Sequence, residues 1–436
     1  MKTILFTIGL AAAFTANLFA GETLQLQLVP ERGYVVKNSA QEVVIKIDLS
    51  AIAGRKVRRT PLNLAVVLDK SGSMTGAKLE KTKQAAMQLV DRLAPDDVFS
   101  LVIFSDKAQV LVSAQKVENK SALKEKIEGI EANGSTALYA GVKMGADQLQ
   151  EFFSSKRINR VILLSDGLAN VGPSSTPELR RLGSDLAERG MSVTTIGVGD
   201  DYNEDLMAGL AEASDANYYY VKDTEKLPDI FAKELGALLT VAARDVRIEI
   251  ICPDGVRPLG FIGRAEQFQD QKAIVNLSQF TTGQDRYLFL RCLVNGDKPE
   301  VARVNVNYKD ELGDGSDQSA SGVARIDFTE DQKLSDQSLN GAVFAEKELM
   351  LTAVAKDEAI AQADAGNYQQ AATILKTQSD VLNNSLPAAS PAAQFQIRAE
   401  TANLDRFSST IGSGGSFDSS ARKSLQEQSY NTRNSK

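Results

Sequence analysis

A doubly wound α/β domain, inserted in a β-sandwich and followed by a helical segment, is the fold class that three patterns in these 436 residues predict. From about residue 62 to 240, short and nearly unbroken Val/Ile/Leu runs alternate with amphipathic stretches. That indicates a mostly parallel six-stranded sheet covered by helices on both faces. Period-two alternation on either side of that unit indicates antiparallel sheet, and helical spacing takes over from about 337.

Residues 1–20 read as an export signal. Lys2 precedes "ILFTIGLAAAFTANLFA", which is uncharged and closes on a small residue before Gly21. Leu18 fits poorly at the third position before that cut, and an uncleaved anchor is the alternative. The run is short for a membrane span and nothing comparable recurs, so no stable span is expected after cleavage. A periplasmic protein, or one secreted to the cell surface, is the expectation.

Residues 21–60 ("TLQLQLV", "EVVIKIDL") and 242–330 ("VRIEIIC", "AIVNLSQF", "YLFLRCLV", "VARVNVNY", "GVARIDF") would form the two parts of the sandwich. Asn295-Gly296 and "LGDGSDQSASG" are turn or loop signals between these strands. Within 61–241, strands are expected at "LNLAVVLD", "VFSLVIFS", "AQVLVS", "RVILLS", "SVTTIGVG" and "NYYYV". Helices are expected near 77–93, 120–131, 138–153, 177–189, 204–214 and 225–240.

The segment 337–410 reads as two helices broken at Gly366-Asn367, with a short helix over 393–407. "ADAGNYQQAATIL" resembles one tetratricopeptide turn, but a stack needs several such units, so an isolated hairpin is expected. Residues 411–436, Gly/Ser-rich at first, read as a disordered tail. Its Arg422, Lys423, Arg433 and Lys436, set against Glu427, would be solvated.

Composition removes several function classes. The net charge is −7, and loss of Lys2 with the leader makes it −8, which disfavours nucleic acid as a partner. There is no histidine, so Ser-His-Asp and Cys-His catalysis and His-ligated zinc are excluded, and an enzyme is not expected. Cys252 and Cys292 are the only cysteines. In an oxidising compartment they either form one bridge, implying roughly 3–4 kcal/mol by loop closure, or stay as two buried thiols.

The sharpest local signal is "LDKSGSM" (68–74), where a buried strand ends in Asp69 followed by Ser71 and Ser73. A second strand, "VILLSD", ends in Asp166. In a doubly wound sheet, ligands bind beyond the carboxyl ends of strands where strand order reverses. If these two strands are central neighbours, Asp69 and Asp166 converge with Ser71, Ser73 and Thr136 of "NGSTAL". Two carboxylates and three hydroxyls are all hard oxygen donors. They suit Mg2+, with Mn2+ or Ca2+ as alternatives, a hard ion that takes about six oxygens at ~2.0–2.1 Å and keeps some water. Neutral hydroxyl ligands leave such an ion underneutralised, ready for an external carboxylate. The plainer alternative makes the serines helix caps and Asp69 a turn residue. "SGSMTGAK" is no phosphate loop, because its glycines are four apart and Leu79 follows Lys78 where a hydroxyl is required.

"DKSGSM", Thr136 in "NGSTAL" and "LLSDGLANVG" together resemble the metal-ion-dependent adhesion site of von Willebrand factor type A domains, over residues 62–240. The wider architecture is similar to exported bacterial proteins related to inter-alpha-trypsin-inhibitor heavy chains and calcium-activated chloride channels. The resemblance implies that Ser71, Ser73 and Thr136 ligate the metal, that Asp69 and Asp166 act largely through water, and that a partner protein supplies a carboxylate. It also implies a mobile last helix, here 225–240, whose sliding would be coupled to metal affinity. On its own pattern that helix should face the core with Ile230 and Phe231. "GDDYNED" (199–205) reads as a solvated loop and helix start, with a second cation site as the alternative.

The function expected is a non-enzymatic, metal-dependent protein-interaction module. A structural part for the chain in an envelope or surface assembly is the alternative. A hydrolase using metal-bound water is the third reading, without an evident general base.

Overall fold

The computed structural model describes residues 17–20, 23–37, 40–53, 59–295, 298–414 and 417–435. The expected leader lies outside the described residues up to residue 16. Its last four form β1 (Asn17–Ala20), followed by β2 (Leu24–Pro30), β3 (Tyr34–Val36) and β4 (Gln41–Ala51).

The α/β domain then runs β5 (Leu62–Asp69), α1 (Ala77–Arg92), β6 (Val98–Phe104), β7 (Ala108–Lys116), α2 (Lys120–Glu128), α3 (Leu138–Glu151) and β8 (Ile158–Ser165). It continues with α4 (Thr176–Glu188), β9 (Ser192–Val198), α5 (Glu204–Ala213), β10 (Tyr218–Val221) and α6 (Leu227–Leu239). Every residue of β5, β6, β8 and β9 is buried, as the near-continuous apolar runs require of strands covered twice. The sheet order is β10-β9-β8-β5-β6-β7, parallel throughout except for β7, which runs antiparallel on the edge. Leu62, Leu64, Val66 and Leu68 face the layer of α1, α2 and α6, while Ala65 and Val67 face α3, α4 and α5.

The chain returns through β11 (Val241–Ile251), β12 (Val256–Phe261), β13 (Lys272–Thr281), β14 (Asp285–Val294), β15 (Glu300–Asp310), β16 (Asp317–Arg325) and β17 (Asp327–Thr329). Two antiparallel sheets, β1-β2-β4-β14-β12 and β13-β11-β15-β16, face each other across one apolar core. The α/β unit is thus inserted between β4 and β11. The short β3 and β17 pair with each other in parallel. β12 carries Pro258 and a register shift before Gly260, features tolerated at the sheet edge where it lies.

Helices α7 (Gln332–Gln337), α8 (Gly341–Asp364), α9 (Tyr368–Ser385), α10 (Pro391–Gly414) and α11 (Ser419–Asn434) complete the chain. The expected short helix over 393–407 is one part of α10. The expectation of a disordered tail over 411–436 is corrected: residues 419–434 form α11. Its Leu425 joins the core of α8, α9 and α10, and its Tyr430 joins the core beside α4 and α5. Nor are Arg422, Lys423 and Arg433 simply solvated, while Lys436 lies outside the described residues. Lys423 is buried against Glu204, Arg422 binds Glu204, Asp205 and Asp364, and Arg433 binds Glu212 and Asp357. Such charges stay buried only because each meets an opposite charge.

Candidate metal centre

β5 pairs in parallel with β6 on one side and β8 on the other, so strand order reverses at the β5/β8 boundary. Both strands carry an acid at that rim. Asp69 closes β5, and Asp166 follows Ser165, the last residue of β8. Both carboxylates are fully buried.

The Asp69 carboxylate organises the loop after its strand. Oδ1 accepts the Ser71 N–H at 2.8 Å, and Oδ2 accepts the Ser165 hydroxyl at 2.5 Å. A side-chain oxygen that takes the amide two residues on closes an Asx turn. It sends Ser71 and Ser73 back over the strand end, where their Oγ atoms lie 3.1 Å apart. Ser73 then donates to Asp166 Oδ1 at 2.6 Å, which links the two strand ends through hydroxyls.

Thr136 arrives on a second loop stitched to the first. Gly72 N–H donates to the Gly134 carbonyl at 3.0 Å, and Asn133 N–H donates to the Lys70 carbonyl at 2.7 Å. Gly134 sits at φ +76°, in left-handed space that favours glycine, and a Cβ there would lie 2.5 Å from Asp106 Oδ2. Asn170 clamps the same loop: its Oδ1 accepts the Thr136 N–H at 2.9 Å and its own N–H donates to the Thr136 carbonyl at 3.2 Å. A Cβ on Gly167 would lie 2.8 Å from Thr136 Oγ1 and 3.5 Å from Ser73 Oγ. The residue after Asp166 therefore leaves open the space beside those hydroxyls.

The five residues named from sequence, Asp69, Ser71, Ser73, Thr136 and Asp166, are gathered by the fold at one rim. Their oxygens could hold a hard cation. Among the described residues there is no group of three or more His, Cys, Asp and Glu side chains of metal-binding geometry, so hydroxyls dominate this donor set. Burial pushes the Asp69 carboxyl up to about 6. The hydrogen bonds from Ser165 and Ser71 oppose that shift, and the neighbouring Asp166 charge adds to it.

Lys78 is the residue that sequence reasoning passed over. It stands in the first turn of α1, and its ammonium lies 2.5 Å from Asp166 Oδ2 and 3.9 Å from Asp201 Oδ2. Only the tertiary approach of α1 to the β8 rim reveals it. Asn170 was likewise visible only as part of a quoted motif.

The acidic segment 199–205 is not simply solvated. Glu204 is buried and accepts Arg422 at 2.5 Å and Lys423 at 2.8 Å. Asp205 accepts Arg422 at 2.9 Å and Gln426 at 2.7 Å. Those acids already have cationic or amide partners from α11, which removes the case for a second cation there.

In α6, Phe231 is buried and Ile230 packs partly buried against the same core. Glu234, fully buried, accepts Thr194 at 2.6 Å, Asn217 at 2.7 Å and Tyr219 at 3.1 Å, with Arg160 Nη1 at 3.9 Å. Sliding of α6 would have to break these bonds. In the sandwich, Cys252 and Cys292 are buried free thiols, with Sγ atoms 3.8 Å apart between the facing sheets.

Residues 63–233 match the family model of the von Willebrand factor type A domain. An uncharacterized protein of Synechocystis sp. is 28% identical over 351 residues, covering 76% of this chain and 81% of that protein. The Escherichia coli protein YfbK is 26% identical over 274 residues, 61% of this chain and 47% of YfbK. Human inter-alpha-trypsin inhibitor heavy chain H4 is 30% identical over 160 residues, so this chain spans only 17% of that larger protein. Among solved structures, a von Willebrand factor type A protein from Catenulispora acidiphila superposes with a TM-score of 0.70 at 19% identity, covering 90% of this chain and 99% of that one. The ArnB paralog VWA2 from Sulfolobus acidocaldarius gives 0.61 at 17% identity, over 91% of this chain and all of that one. At such identities the likeness concerns the fold. No described helix is long and apolar enough to cross a membrane. Fold, strand order and family match agree for that part of the chain: residues 63–233 form a von Willebrand factor type A domain, inserted between the two parts of a β-sandwich.

Proposed function

We propose that the protein is an exported, metal-dependent interaction module that grips an acidic residue of a partner protein. Domains of this family are generally protein-interaction modules without enzymatic activity, which sets the class. The observation that carries the finer reading is the Ser71–Ser73–Asp166 hydroxyl chain, with the space left beside Thr136 Oγ1 by Gly167. Ser71, Ser73 and Thr136 would ligate Mg2+, with Mn2+ or Ca2+ as alternatives, while Asp69 and Asp166 hold the hydroxyls and waters in place. The ion supplies a positive charge that its neutral ligands leave partly unsatisfied, and a carboxylate from outside completes it. Export rests on the leader-like residues 1–20.

Mn2+ titration of the full chain followed by electron paramagnetic resonance tests the metal. Asp69→Ala and Thr136→Ala should lose binding while keeping the circular dichroism of the native fold. Undiminished binding in both would overturn the proposal. Partner capture from an envelope extract should require Mg2+ and fail in EDTA, and equal capture in the two would refute the gripping role.

A second reading, a structural part in an envelope or surface assembly, is supported by the burial of both carboxylates, since burial pushes the Asp69 carboxyl up to about 6. In that reading the ion chiefly relieves those charges. Chelation would lower the melting temperature and leave partner capture intact.

A further inference from the structure

Lys78 is not among the residues that would hold the metal, yet it reaches one of them. Its side chain is one quarter exposed, and its ammonium reaches the fully buried Asp166 carboxylate at 2.5 Å. That carboxylate is already engaged on its other oxygen by the Ser73 hydroxyl, a residue of the candidate metal shell. Among the described residues, Lys78 therefore supplies the one ion pair to a cluster built from two buried carboxylates. A second acceptor lies just beyond, because Asp201 Oδ2 is 3.9 Å from the same ammonium and its side chain is 79% exposed.

Asp201 keeps its place at the rim because its neighbours are fastened. Gly199 N–H donates to the Val221 carbonyl at 2.9 Å. The Asp200 carboxylate accepts the Tyr220 hydroxyl at 2.5 Å, and the Asp200 carbonyl accepts Ser419 of α11 at 2.9 Å. The ammonium thus has two carboxylates within a short swing, one beside the metal ligands and one outside them.

We propose that Lys78 is an internal counter-ion for Asp166 that moves to Asp201 when a divalent cation arrives, so that Asp201 sets the affinity of the metal site. The inference rests on the metal reading above and adds two positioning residues to it. Two cations beside one carboxylate repel each other, the more so where burial limits screening by water. A dication must therefore displace the ammonium or bind with its charge opposed. An acid on the outer side lowers the cost of displacement.

The test is Mn2+ titration of the full chain, read by electron paramagnetic resonance, for wild type, Lys78→Met, Asp201→Asn and the double variant. Melting in EDTA is measured in parallel. Lys78→Met should bind Mn2+ about tenfold more tightly or better, since an opposing charge is gone. The same variant should melt at lower temperature in EDTA, because Asp166 is then left buried without its cation. A purely structural tie would weaken both properties together. Asp201→Asn should bind Mn2+ several-fold more weakly, and its effect should vanish in the Lys78→Met background. Unchanged or weaker binding in Lys78→Met, or an Asp201→Asn effect that survives without Lys78, would overturn the exchange. Binding in Lys78→Met alone, with none in wild type, would support it in its strongest form. If neither wild type nor Lys78→Met binds Mn2+, the metal reading falls and the exchange with it. Lys78→Gln serves the same comparison should the methionine variant fail to fold.

Discussion

Arg433 Nη1 lies 2.5 Å from Glu212 Oε1, a contact that joins α11 to α5 across 221 residues of chain. The same guanidinium reaches Asp357 of α8 at 2.9 Å, so one side chain fastens the helical segment to the α/β domain. Arg433→Ala removes that clasp from the partly exposed Asp357 and from Glu212, which keeps Arg180. A loss of about 1–2 kcal/mol, between the values for exposed and for fully buried pairs, is expected in urea unfolding. Unchanged stability would show that α11 is held by Leu425, Tyr430 and the ion pairs of Arg422 and Lys423 without help from Arg433.

The same clasp predicts a response to acid. Burial pushes the Glu212 carboxyl up, but the Arg433 and Arg180 charges and their hydrogen bonds outweigh it and hold the group below its ordinary 4.5. A carboxyl depressed in the folded state stabilises fully above its unfolded value and loses that contribution as pH falls through the folded one. Asp357, raised by burial, works in the opposite sense on the other side of Arg433. The protection of α11 amides, taken relative to their intrinsic exchange rate at each pH, should therefore fall as pH drops below about 4.5. In Glu212→Gln that part of the pH dependence should be missing.

Gly167→Ala tests the space that the proposed metal site needs. A Cβ placed 2.8 Å from Thr136 Oγ1 must push that hydroxyl away. The fold should tolerate the change, because the rest of the contact is with flexible side-chain atoms. Stabilisation by Mg2+, worth about 2.7 kcal/mol at one hundred times the dissociation constant, should fall sharply at the same ion concentration. Melting curves with and without Mg2+ check this.

Glu234→Ala strips Thr194, Asn217 and Tyr219 of their common acceptor and leaves Arg160 buried. A destabilisation of about 3–5 kcal/mol is expected. For a domain of this size that corresponds to a melting temperature lower by roughly 10 °C. A variant as stable as wild type would mean that α6 is not anchored by its buried acid and is free to slide.

Cys252 and Cys292, free thiols 3.8 Å apart at Sγ and 40 residues apart in sequence, are placed to form a bridge between the facing sheets on oxidation. Protein recovered from an oxidising compartment should show no titratable thiol after unfolding. Reduction should lower its stability by about 3–4 kcal/mol. Two thiols per chain in the unfolded oxidised protein would refute the bridge.

Much of this was legible in the linear sequence, for a physical reason. Asp69 and Asp166 end apolar runs long enough to be buried strands, and an acid at such a boundary has few structural uses. Lys78 was not legible, because three-dimensional closure alone carries the first turn of α1 to the end of β8. α11 escaped for the opposite reason. It buries ion pairs as well as apolar atoms, so "SSARKSLQEQSYNTRN" has the composition of a solvated segment. β12 was missed because Pro258 and Gly260 weaken the strand signal, a cost that a sheet edge accepts.

Thr240 alone separates Leu239, the end of α6, from Val241, the start of β11. Its carbonyl is pinned by the Thr282 N–H at 2.9 Å. The rim that carries Asp69 and Asp166 lies at the carboxyl ends of the parallel strands, whereas α6 returns the chain to the opposite end of the sheet. Traction applied at that rim therefore crosses the α/β domain and reaches the sandwich by two covalent links, from β5 back to β4 and through Thr240. By the second link it arrives in β11, which is hydrogen-bonded on both sides, to β13 and β15. A strand held on both flanks and pulled along its length resists in shear, with many ladder bonds sharing the load. The insertion thus gives the molecule a stiff handle opposite the rim of Asp69 and Asp166.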